Sequence, residues 1–81
     1  MTVEVFKTNV KDADQARMLV EQIHATFGNY QANFDLEDCD RILRVVCRDG
    51  LIQTALLMSM VRNSGFHAEI LPDVVPEIFH V

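Results

Sequence analysis

Apolar side chains fall along this chain in runs of two different periods. Val3, Val5 and Phe6 lie in a β-branched and aromatic stretch, Val3 to Thr8, that reads as a strand, although alternation alone leaves open which face it buries. Asp12 follows as an N-cap candidate, and Ala16, Leu19, Val20, Ile23 and Phe27 then recur at helical spacing, predicting an amphipathic helix over Ala13 to Thr26. Gly28-Asn29 tolerates a left-handed backbone and ends it. Beyond, Tyr30, Ala32, Phe34 and Leu36 alternate with Gln31, Asn33 and Asp35, a strand with one dry face.

The second half repeats the order. Glu37-Asp38-Cys39-Asp40 is a polar turn, after which Leu43, Val45 and Cys47 alternate with Arg44, Val46 and Arg48 to complete a hairpin. Asp49-Gly50 breaks it. Leu51 to Asn63 holds mostly good helix formers, Ser64-Gly65 supplies a stop, and Phe66 to Leu71 reads as the last strand. The succession predicts an α+β ferredoxin-like βαββαβ sandwich, a four-stranded antiparallel sheet with both helices on one face. Right-handed crossovers place the first and third strands at its centre. The domain is expected over residues 1–73, with an apolar tail over 74–81.

Composition narrows the functional classes. At 81 residues the chain is one domain, and 49% hydrophobic against 23% charged residues suits a globule rather than a disordered segment. A net charge of −5 disfavours polyanions, so neither nucleic acid nor an anionic membrane surface is an expected partner. No apolar run reaches the roughly 20 residues of a membrane span, and the N-terminus lacks a signal-like core. The expected location is cytoplasmic.

Candidate chemistry is sparse. Cys39 in the turn and Cys47 at the far end of the next strand stand about 20 Å apart at ~3.3 Å per residue, so they can form neither a disulfide nor a shared metal site within one chain. Cys47 shares a face with Leu43 and Val45 and reads as core. His24, His67 and His80 are scattered over a helix, a strand start and the tail, and the acids around Glu37 lack the spacing of a calcium loop. No phosphate loop, nucleophile elbow or zinc-protease motif occurs, and no enzyme activity or cofactor is expected.

The hairpin Phe34-Asp35-Leu36-Glu37-Asp38-Cys39-Asp40-Arg41-Ile42-Leu43-Arg44-Val45 and the closing segment Ser64-Gly65-Phe66-His67-Ala68-Glu69-Ile70 resemble those of the heavy-metal-associated domain of copper chaperones and metal-pumping ATPases. The resemblance spans about nine tenths of the chain, Val3 to Leu71. It implies a Met-x-Cys-x-x-Cys metal loop between the first strand and first helix. Aligned on Leu19 and Ile23, that loop carries Val10 at the methionine, Asp12 at the first cysteine and Gln15 at the second. A hard oxygen and a neutral amide replace two soft thiolates, so no metal is expected in the usual loop. Asp12 then serves as helix cap and Val10 as a core plug.

Apolar surplus points to a partner instead. Ile52, Leu56, Leu57, Met58, Met60 and Val61 cover more than one stripe of the second helix, and the tail adds Val74, Val75, Ile78, Phe79 and Val81. On the sheet's outer face Ile42 and Val46 alternate with arginines like an interface core with a polar rim. The expectation is a non-catalytic interaction module, a homodimer or a binder of another protein, with Leu56, Met60, Ile42, Val46, Ile78 and Phe79 as interface residues. The alternative is a metal-binding or metal-trafficking protein with a remodelled site, such as Asp12 with a histidine or Cys39 paired across a dimer.

Overall fold

The structure is a computed structural model that describes residues 1–37 and 40–71. Its elements are β1 (Thr2–Thr8), α1 (Ala13–Thr26), β2 (Tyr30–Asp35), β3 (Ile42–Cys47), α2 (Thr54–Asn63) and β4 (Ala68–Leu71). They form one four-stranded antiparallel sheet in the order β2-β3-β1-β4, with β3 and β1 central as the crossover rule requires.

Register divides the sheet into two faces. Phe6 opposes Leu43, and Tyr30, Ala32 and Phe34 oppose Cys47, Val45 and Leu43, so these residues share the helix-facing side. There they build the core with Ile23, Leu57 and Val61 from the helices. This settles the strand whose face the sequence left open: Phe6 and Thr8 point inward, Val3, Val5 and Lys7 outward. A smaller cluster of Val10, Ala16 and Leu19, flanked by Phe34, Leu36 and Phe66, closes the core where β1 enters α1. Among the described residues no helix is long and apolar enough to cross a membrane.

Helix α1 keeps its predicted limits, whereas α2 begins three residues later than the pattern suggests. Residues 51–53 stay non-helical because the Tyr30 hydroxyl accepts from the Gln53 N–H at 2.7 Å and lies 3.3 Å from the Leu51 carbonyl. Tyr30 is itself fixed by stacking on Phe27, with centroids 4.6 Å apart. The helix ends in a Schellman turn: Gly65 adopts φ 94°, its N–H reaches Arg62 O, and the Phe66 N–H reaches Val61 O. That turn carries Phe66 and His67 out of β4, which therefore starts at Ala68 rather than Phe66.

The outer face also differs from expectation at one position. Ile42 does lie on this side with Arg44 and Val46, but it is only 8% exposed. It sits on a central strand with Lys7 and Asp35 directly across on either side, and such neighbours shield a side chain along their aliphatic stems. Ile42 is thus not the accessible interface residue that alternation suggested, whereas Val46 is half-buried and Val3 exposed.

Candidate functional site

The end of the sheet where β1 stops collects the β1–α1 loop, the β2–β3 turn and the α2–β4 turn. Thr8 ties two of them together from a buried position. Its Oγ1 donates to Arg41 O at 2.6 Å and accepts from the Val10 N–H at 3.2 Å, while its own N–H donates to Asp40 O at 3.1 Å. Arg41 takes up φ 49°, a left-handed conformation uncommon outside glycine, and its Nη1 donates to Leu36 O at 2.6 Å. The turn is therefore fixed on both sides of its tip. Asp38 and Cys39 lie outside the described residues.

The loop is fixed from the other side by Asn9. Its Oδ1 accepts from the His67 N–H at 2.8 Å, and its N–H donates to His67 O at 3.3 Å. The exposed imidazole Nε2 of His67 lies 3.0 Å from Glu69 Oε2.

The positions that align with the family's metal ligands do not converge on a cation. Val10 is buried in the small core cluster. Asp12 has an extended backbone, and its Oδ1 accepts from the Asp14 N–H at 2.8 Å, the geometry of an N-cap. Gln15 is exposed on the first turn of α1, and Asp14 pairs with Arg17 at 2.8 Å. Among the described residues no group of three or more His, Cys, Asp or Glu side chains could hold a metal ion. The usual loop in this chain thus does not fit a soft cation.

At the opposite end Cys47 is buried, its Sγ 3.5 Å from Asn29 Nδ2 and 3.8 Å from Asp49 Oδ1. It is a core thiol. His24, which the sequence left as a scattered imidazole, accepts from the Ala32 N–H through Nε2 at 3.0 Å and so covers part of the β2 edge. Sequence reasoning missed this role and those of Thr8 and Tyr30, because each depends on a contact between different elements of the fold. A threonine closing a strand just before a polar loop was the available signal for Thr8.

Of the proposed interface residues, Leu56 is exposed and Met60 half-buried, both on a groove between α1 and α2; Ile78 and Phe79 lie outside the described residues.

No protein-family model matches the chain, and no curated protein sequence does either. Solved structures do. The yeast copper transporter domain CCC2A, studied in apo and Cu(I)-loaded states, is similar with a TM-score of 0.72 and 16% identity over 89% of this chain and 97% of that one. The N-terminal domain of PacS from Synechocystis PCC6803 gives 0.65 and 14% over 89% of this chain and all 100% of that one. A structure described under crosstalk between Cu(I) and Zn(II) homeostasis gives 0.64 and 17% over 88% and 100%. In fold, then, the chain is a heavy-metal-associated-like βαββαβ domain, as its hairpin and closing segment suggested.

Proposed function

We propose that the chain is a non-catalytic metal-handling module whose cargo is a soft cation such as Cu(I), gripped by the Cys39 thiolates of two copies rather than by the usual loop. The observation that carries the reading is the fold shared over 89% of the chain with a copper transporter domain. Fold alone does not specify activity, so the residues must supply the rest. Cys39 is one of two cysteines and the neighbour of Asp40, whose carbonyl is held by Thr8 beside the β1–α1 loop; the other thiol, Cys47, is buried in the core. Soft thiolate suits Cu(I), and a two-fold dimer brings one thiolate from each copy to a single ion without a second cysteine in either. This chemistry belongs in a reducing compartment such as the cytoplasm.

The test is native mass spectrometry of reduced protein with anaerobically added Cu(I). The expected product is a dimer carrying one ion, abolished by Cys39→Ser and retained in His67→Ala. Uptake that survives Cys39→Ser but not His67→Ala would move the site to the imidazole beside Asn9.

A second reading is favoured by the loop itself. Buried Val10, Asp12 engaged as a cap and neutral Gln15 suit an interaction module that keeps the fold without metal, binding a second copy or another protein. A metal-free dimer indifferent to Cu(I) is its signature.

A further inference from the structure

The groove between α1 and α2 has an apolar floor of Phe27, Leu56 and Met60, a rim that includes Gln22, Asn63 and Ser64, and a volume of about 400 Å3; among the described residues no charged side chain lines it. Leu56 is 53% exposed there. A second apolar side chain stands open on the same side of the molecule: Ile70 opposes Phe6 in register, which puts it on the helix-facing side of β4, yet it is 46% exposed. Both belong to elements that pack on each other, since α2 lies against β4.

The sequence following Leu71 has matching chemistry. Within ten residues it brings Val74, Val75, Ile78, Phe79 and Val81. A tight turn at Gly65 reverses the chain between α2 and β4, so β4 runs back along α2 toward the end that carries Leu56. From Leu71 to Phe79 the chain can span up to about 27 Å, against roughly 15 Å for the whole of α2. Reach is therefore not limiting.

We infer that residues 74–81, which lie outside the described residues, dock in cis on the α1–α2 groove, with Ile78 and Phe79 as anchors against Leu56 and Met60. A neutral, apolar groove calls for an apolar occupant, and tethering presents this one at an effective concentration on the order of millimolar. The inference is independent of any metal.

Backbone amide NMR of the full chain tests it. Phe79→Lys should shift the signals of Gln22, Thr26, Ser59 and Asn63 while leaving Val45 in the sheet unmoved. Leu56→Lys, at an exposed position that the fold tolerates, should shift Ile78 and Phe79 reciprocally, and Leu56→Ala should do so more weakly. The wild-type spectrum should not change on about tenfold dilution. Groove signals indifferent to Phe79→Lys overturn the inference. So does a Phe79-dependent pattern that fades on dilution, because the occupant is then a second copy.

Discussion

The two helices of this fold begin by different means. Helix α1 is started by its own flanking residue: the Asp12 carboxylate accepts from the Asp14 N–H two positions on. Helix α2 has no side-chain cap from its own N-cap residue, Gln53, and relies on the Tyr30 hydroxyl, which arrives from a strand 23 residues earlier. A local cap makes the first start independent of the rest of the fold. The second start exists only once β2, Phe27 and the chain after Gly50 have packed together. The contrast also bears on function, because the start of α1 is where the resembling family holds metal, and here the same position is used to stabilise a helix.

The largest change should come from converting the first start into a metal site. In a Cys39→Ser background, Asp12→Cys with Gln15→Cys restores two thiolates at the family's spacing, and Cu(I) competition against a chromophoric chelator should show tight uptake of one ion per chain by a monomer. Failure of that variant to bind would mean that the loop backbone, and not only its side chains, has departed from the metal-binding form.

Next in size is Tyr30→Phe. It leaves the partly buried Gln53 N–H without its acceptor, which costs about 1–3 kcal/mol in a urea melt and speeds amide exchange at Gln53 and Thr54 before the rest of α2. Asp12→Ala should cost less, about 1 kcal/mol, with faster exchange confined to the first turn of α1. Asp12→Asn should stay within about 0.5 kcal/mol of the parent, since an amide oxygen caps as well as a carboxylate. An Asn variant as unstable as the Ala variant would show that the charge of Asp12, rather than its hydrogen bond, matters.

What the sequence revealed follows the same division. Helix α1, the strand order, Val10 as a plug and Cys47 as core were all legible, because local spacing and capping chemistry decide them. The late start of α2 was not, since the thirteen mostly helix-forming positions from Leu51 to Asn63 carry no trace of a distant tyrosine hydroxyl. The burial of Ile42 was hidden similarly: alternation gives its face, but only the register against Lys7 and Asp35 gives its exposure. At the candidate site the cap role of Asp12 was legible from its place before the helix. The role of Thr8 in holding the Asp40–Arg41 turn was not, because it joins residues 33 positions apart.

The most direct test of the account is native mass spectrometry of freshly reduced full chain titrated anaerobically with half an equivalent of Cu(I). The account predicts a dimer carrying one copper ion that Cys39→Ser abolishes. A chain that stays metal-free at every addition would contradict it and leave the fold serving protein contact alone.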